Sequence, residues 1–513
     1  MKYSQTYKWT ALAVTTIGGF MAILDTSIVN VALPHMMATF AVNTEDAEWI
    51  ITAYMLSMGC IQPTTGYLCD RFGTKTMYLL SLMLFTIGSA LCGMAWSNAS
   101  MISFRVLQAI GGGMIMPVTM SLIYLIFDEH ERNMAIGVWG ISALIAPAIG
   151  PTLSGYLVDN WSWQMIFDIN IPIGIVGFLL AFMVLSETEK QPGKKFDFPG
   201  FATATVGMFC LLMAFSRGNA DGWGSAYILG LFFVAITSLI AFVYIELNAD
   251  DPLLDLTLFG DWNFSIVQIV VFIGTVALYG GMFLMPLFLQ NVLGYSAMLA
   301  GETLFPAAAV SALTMPLAAF IANKIGAKPL GIAGLTILGL ATIPFMYFDA
   351  NVSREHIMII SAIRGFGLGL FMMPVTVLGM NSVPIDKISR ASSLNNVIRQ
   401  ISGSFGIAYL TSLLDNRYKF HFERIAESFQ QSDIGTKNFM FMMQHKFQLL
   451  GDGVWAAKLK SLSLLSMLRI KQAYIFAFDD TFLVLALIAL LSVIPALLLK
   501  NVIAKTSGHT MIE

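Results

Sequence analysis

The sequence runs to 513 residues, 57% of them hydrophobic and 12% charged, with a mean hydropathy of +0.74. A soluble chain carries about 25% charged residues, so composition excludes an ordinary soluble domain and implies that most of the outer surface faces lipid. The net charge of −3 gives no reason to expect nucleic acid or an acidic partner.

A helix needs about 20 mostly apolar residues to cross a bilayer. On that scale the chain is an all-α, polytopic membrane protein with fourteen transmembrane helices. The first six are expected over residues 9–33, 49–68, 76–96, 101–127, 134–158 and 163–186, and two more over 199–217 and 226–246. The last six are expected over 264–289, 296–322, 329–348, 357–380, 391–414 and 473–499. The first run is too long for a cleavable signal peptide and lacks a small-residue cleavage site. Cys60, Cys69, Cys92 and Cys210 sit in or beside apolar spans without metal-ligand spacing, and read as small hydrophobes.

Basic residues orient this map. With the N-terminus inside, the inner loops and tails hold 14 Lys and Arg and the short outer loops hold 2, so both termini are expected in the cytoplasm. The segment 415–472, long for a loop, falls outside; amphipathic helices lying on the outer membrane surface would account for it.

Met116-Pro117-Val118-Thr119 recurs as Met373-Pro374-Val375-Thr376, and the loop 66–75 has a weaker echo around Gly326. The shift is eight helices rather than six. It divides the chain into a six-helix half (1–190), two inserted helices (191–250) and a second six-helix half (251–513) that includes 415–472. Parallel halves imply a binding cleft between them near the midplane.

Polar residues inside spans carry the chemistry. A mid-span carboxylate such as Asp25 costs several kcal/mol on the order of insertion scales, so it must face a cavity or a partner. It either carries protons as access alternates or is a static packing group. Arg105 and Gln108, three apart, share one helix face. In the loop from Gly66 to Lys75, Gly66 and Gly73 permit a tight turn, Asp70 can face a cation or a helix N-terminus, and Arg71 and Lys75 hold the inner side. Glu129, Glu131 and Arg132 are either solvated or paired with this loop. On the fifth span Gly140, Ala143, Pro147, Gly150, Pro151 and Ser154 present little bulk and allow close packing and bending. Glu302 either binds a cationic substrate, carries a second proton, or sits idle near the headgroups. Asn30, Tyr54, Gln108, Arg364 and Arg399 are candidates for the substrate cavity; a stabilising bridge is the first reading for both arginines. Asp479 and Asp480 are expected among hydrating headgroups. No metal cluster, nucleophile elbow or phosphate loop appears, so neither an enzyme nor an ATP-driven pump is expected.

The stretch Gly66–Lys75 resembles the signature loop of the major facilitator superfamily. Leu24-Asp25-Thr26-Ser27 and the residues following to Pro34 are similar to the first-helix motif of its fourteen-helix drug:proton antiporters. Ala146-Pro147-Ala148-Ile149-Gly150-Pro151-Thr152-Leu153-Ser154-Gly155 resembles their fifth-helix antiporter motif, with Ala146 and Ser154 where glycine is usual. Residues 167–174 and 289–296 match the same group. Alanine before Pro147 is familiar from the EmrB/QacA subfamily. The resemblance implies a proton-driven multidrug exporter of the bacterial inner membrane, without a cofactor, that uses the proton gradient. Its substrates would be hydrophobic or cationic drugs. It implies proton transfer at Arg105 as well as Asp25, and sealing of the outward route by the fifth helix. It also implies a partnership, through 415–472, with a periplasmic membrane-fusion adaptor and an outer-membrane channel. A dedicated exporter of one metabolite, lipid or siderophore is the alternative.

Overall fold

The computed structural model describes residues 4–42, 44–188, 190, 196–428 and 434–500, and every regular element among them is a helix. The chain opens with α1 (Gln5–Phe40), α2 (Thr44–Phe72), α3 (Thr74–Gly93), α4 (Asn98–Ile126) and α5 (Glu129–Asn160). The sixth span is in two pieces, α6 (Met165–Asp168) and α7 (Asn170–Val184), and is followed by α8 (Phe198–Asp221) and α9 (Ala226–Asn248). Then come α10 (Trp262–Asn291), α11 (Ala297–Ile325), α12 (Ala327–Thr342) and α13 (Arg354–Asn381). The chain closes with α14 (Ile388–Ser428), α15 (Ile434–Leu449), α16 (Val454–Leu491) and α17 (Val493–Leu497). Short polar side chains start many of these helices. Ser4, Asp197, Ser225, Asp261, Ser296 and Ser353 each accept a first-turn N–H, and Ser97 forms a reciprocal capping box with Ser100.

Eleven helices among the described residues are long and apolar enough to cross a bilayer. Two further long helices, α2 and α14, run to 29 and 41 residues but are more polar, whereas α5, of 32 residues, is apolar from Met134 onward. α2 and α14 can be more polar because they pack along each other, and α5 packs along α11. Conversely Leu229, Phe233, Ile236, Ile240 and Tyr244 form an exposed apolar stripe along α9.

One apolar core joins α1, α3, α4 and α5 around Tyr78, Phe85, Met114 and Trp139; a second joins α10, α12, α13 and α16 around Phe288, Phe345, Phe478 and Phe482. The echo in sequence is also an echo in backbone. Gly73 and Gly326 each precede a helix with φ of +92° and +87°, a conformation that favours glycine.

Segment 415–472 departs from the expectation of helices lying flat. Helix α14 continues unbroken to Ser428 and α16 begins at Val454, so both run beyond the spans expected for them; α15 packs on α16. At 1.5 Å per residue α14 is about 60 Å long, twice a hydrocarbon core. Extending an existing helix needs no new nucleus, and the pair is held by a stacked Tyr418–Tyr474 contact at 4.2 Å.

Candidate functional site

The buried polar centre lies among α1, α3, α4 and α7. Glycines press α3 onto α4: a β-carbon on Gly88 would come within 2.5 Å of Gln108 Cα, and one on Gly111 within 2.4 Å of the Phe85 nitrogen. That approach brings Ser89 and Gln108 up to Asp25, which is 1% exposed. Arg105 Nη1 donates to Asp25 Oδ2 at 2.5 Å, and Gln108 Nε2 donates to Oδ1 at 2.9 Å. Asn170 Nδ2 reaches Oδ1 at 3.4 Å and Ser89 Oγ at 3.1 Å. Arg105 has other partners as well. Nη1 donates to Gln108 Oε1 at 2.7 Å, Nε points to the Ile50 carbonyl at 3.4 Å, and the guanidinium lies 3.8 Å from the Tyr54 ring centroid. Cys92 Sγ donates to Gln108 Oε1 at 3.7 Å. Both carboxylate oxygens are therefore satisfied by protein donors in the buried interior, as a buried charge requires.

A second cluster ties α2 to α14 at the end of the bundle where α2 ends and α14 begins. A β-carbon on Gly66 would stand 2.9 Å from Arg390 Cα, so the two backbones touch. Beside them Arg390 Nε lies 3.3 Å from Asp70 Oδ2. Arg71 Nη1 donates to the Tyr67 hydroxyl at 2.5 Å, and Lys75 Nζ to the Phe182 carbonyl at 2.8 Å. Arg132 is buried and donates to the Tyr124 and Phe127 carbonyls and to Asn381 Oδ1, so it links α5 to α13. Glu131 pairs with Lys8 at 2.6 Å. The Lys8 hydrogen bond holds the Glu131 carboxyl below its ordinary range. Nearby, Lys387 Nζ meets Asp255 Oδ2 at 2.7 Å. Burial pushes the Asp255 carboxyl up, but hydrogen bonds from Lys387 and Thr257 outweigh it and hold the group below its usual value.

The small-residue face of α5 serves two neighbours. Ala146 is fully buried, Gly150 lies against Ser27 of α1, and Ser154 Oγ donates to the Ile28 carbonyl at 2.8 Å. Nearer the start of α5, Gly137 faces Pro316 and Gly140 faces Met315 and Met373. Gly155 has nothing within 4 Å of where its β-carbon would stand, so close packing does not explain it. The backbone of α5 is helical through Pro147 and Pro151, whose side chains lie outside the described set.

Asp25, Arg105, Gln108 and Tyr54 thus meet in one buried cluster, the last two as partners of Asp25 and Arg105. Glu302 does not join them: it is exposed at the start of α11 and pairs with Arg354 at 2.9 Å. Arg364 packs over Gly281 and donates to the Ala277 carbonyl and Thr342, while Arg399 donates to Thr376. Among the described residues neither arginine has a carboxylate partner, so the bridges expected for them are replaced by backbone and hydroxyl acceptors. Asn30 lies on α1 with its side chain outside the described set. Asp480 is engaged by Arg417 and His421 at 2.6 and 2.7 Å, not simply hydrated. Sequence reasoning missed Ser89, Asn170 and Cys92 around Asp25, and Arg390 as the partner of Asp70. Asn170 stood within a matched motif; the others are ordinary residue types whose role comes from helix packing. Among the described residues no group of three or more His, Cys, Asp or Glu could hold a metal ion.

The model of the Major Facilitator Superfamily matches residues 15–407. The chain is 36% identical over 434 residues to the uncharacterized MFS-type transporter YhcA of Bacillus subtilis (strain 168), covering 85% of this chain and 81% of that protein. It is 30% identical over 422 residues to the multidrug export protein EmrB of Escherichia coli (strain K12), covering 80% and 81%. Among solved structures it is similar to the human organic anion transporter MFSD10, with a TM-score of 0.60 at 13% identity, over 94% of this chain and 99% of that one.

Proposed function

Because the chain belongs to the Major Facilitator Superfamily, we propose that it is a proton-driven multidrug exporter of the bacterial inner membrane. It crosses fourteen times as six, two and six helices, with both termini in the cytoplasm. The observation that carries the proton assignment is the sealed Asp25–Arg105 pair at 2.5 Å. Names of relatives such as EmrB support the drug substrates.

Ionised Asp25 holds Arg105 in the state described. Protonation removes the charge that holds the guanidinium, and Arg105 then falls back on Gln108 Oε1, the Ile50 carbonyl and the Tyr54 ring, already in place around it. Proton binding thereby becomes a shift of α4 against α1 and α2. The contacts of Gly66 with Arg390, Arg132 with Asn381 and Gly137 with Pro316 close the cytoplasmic end in this state. Opening them lets drug in from the cytosol or inner leaflet, and the proton gradient resets the cycle. The hairpin of α14, α15 and α16 projects to the periplasm, where it is suited to meet an adaptor.

The test is drug-dependent proton release from purified protein in liposomes, with chemically diverse compounds. Several unrelated compounds are expected to release protons. Release with a single compound supports a dedicated exporter instead, and release with none removes antiport.

A further inference from the structure

Two carboxyl groups that the Asp25 centre does not use meet where α8 and α9 join the bundle. Asp197 caps α8: its Oδ1 accepts the Gly200 N–H at 2.9 Å, while Oδ2 is buried with no hydrogen-bond partner. Glu246, in the last turn of α9, is 4% exposed. Its Oε1 accepts the Leu253 N–H at 3.2 Å, and its Oε2 is buried with no partner. The two groups face each other across Gly200, where a β-carbon would lie 2.1 Å from Asp197 Oδ2 and 3.2 Å from Glu246 Oε1. Among the described residues neither carboxyl has a basic group within ion-pair distance.

Arg390 of α14 is near enough to act on Glu246, but its Nε is turned to Asp70 of α2 at 3.3 Å. Asp255, in the segment after α9, is already held by Lys387. Glu246 is buried beside a second carboxylate, with no cation at ion-pair distance among the described residues, which favours its neutral form. One proton removes both orphaned acceptors, because a protonated Glu246 becomes a donor and Asp197 Oδ2 can accept. The start of α8 favours negative charge on Asp197, whereas the C-terminal end of α9 disfavours it on Glu246. The proton therefore rests on Glu246.

We infer that Asp197 and Glu246 form a proton-binding site, distinct from Asp25, that keeps one proton while Arg390 is held by Asp70. When the cytoplasmic end opens, Arg390 leaves Asp70, turns to the pair, and the proton departs to solvent. The two helices α8 and α9 thereby report on the latch between α2 and α14.

Infrared spectroscopy of the purified full-length chain at pH 7 tests this without any drug. A protonated-carboxyl band is expected in the parent, present in Asp25→Asn and lost in Glu246→Gln, whose amide keeps the acceptor for Leu253. In Asp70→Asn, which frees Arg390, the same band is expected to fall by at least half; this variant also decides the matter if Glu246→Gln does not fold. A band unchanged by Glu246→Gln overturns the site, and one unchanged by Asp70→Asn overturns its link to the latch. Neither reading depends on drug–proton exchange.

Discussion

Asp25 and Arg105 are each 1% exposed, and each is tolerable there only because of the other. Removing one partner leaves an uncompensated buried charge, at a cost of about 3–5 kcal/mol; removing both with apolar residues of similar size costs far less. Arg105→Met alone is therefore expected to lower the thermal unfolding midpoint in detergent more than the double change Asp25→Leu with Arg105→Met. Additive losses would mean the pair is not energetically coupled. That Asp25, Arg105 and Gln108 are polar groups within spans was legible in the sequence, since such residues stand out against an apolar background. The identity of their companions was not: Ser89 and Cys92 become partners only because Gly88 and Gly111 let two backbones touch. The same limit applied to Glu302, for which the sequence left three readings open and did not name Arg354 as its partner.

Between elements, the close approach of α2 to α14 depends on Gly66, whose β-position faces the Arg390 backbone. Gly66→Val forces these helices apart, an overpacking cost of about 1–3 kcal/mol. In a variant retaining Cys69 as its single thiol, buried at 3% exposure, maleimide labelling is expected to speed up several-fold; an unchanged rate would show that the contact does not close this end. The bridge from Asp255 to Lys387 carries a pH dependence. Asp255 is held below its ordinary value near about 3.9, so its stabilisation is complete above that pH and is lost as pH falls through the lowered folded value. Lys387 is 37% exposed, which keeps the contribution to about 1 kcal/mol or less. Asp255→Asn should thus unfold at a slightly lower temperature than the parent at pH 7, with the gap closing below about pH 3.9. The signature loop was readable from its glycines and charges. Its partner on α14, more than 300 residues away in sequence, was not.

For the whole molecule, hydropathy and the repeated Met-Pro-Val-Thr motif conveyed a polytopic helical fold, and α2 and α14 can be less apolar because they pack on each other. The long segment 415–472 was misread as lying flat because its apolar residues resemble a surface-bound pattern, whereas helix continuation from both sides sets its actual form. Replacing residues 429–453 with a short flexible linker is expected to leave drug–proton exchange in liposomes within about two-fold of the parent and to reduce resistance in whole cells. Equal losses in both assays would assign the hairpin to transport itself rather than to an outer partner. The central claim is that Asp25 couples protons to transport. It is tested most directly by comparing gradient-driven drug accumulation with gradient-free drug exchange in proteoliposomes carrying Asp25→Asn. Accumulation should fall to background while exchange persists; accumulation at the parent level would contradict the account.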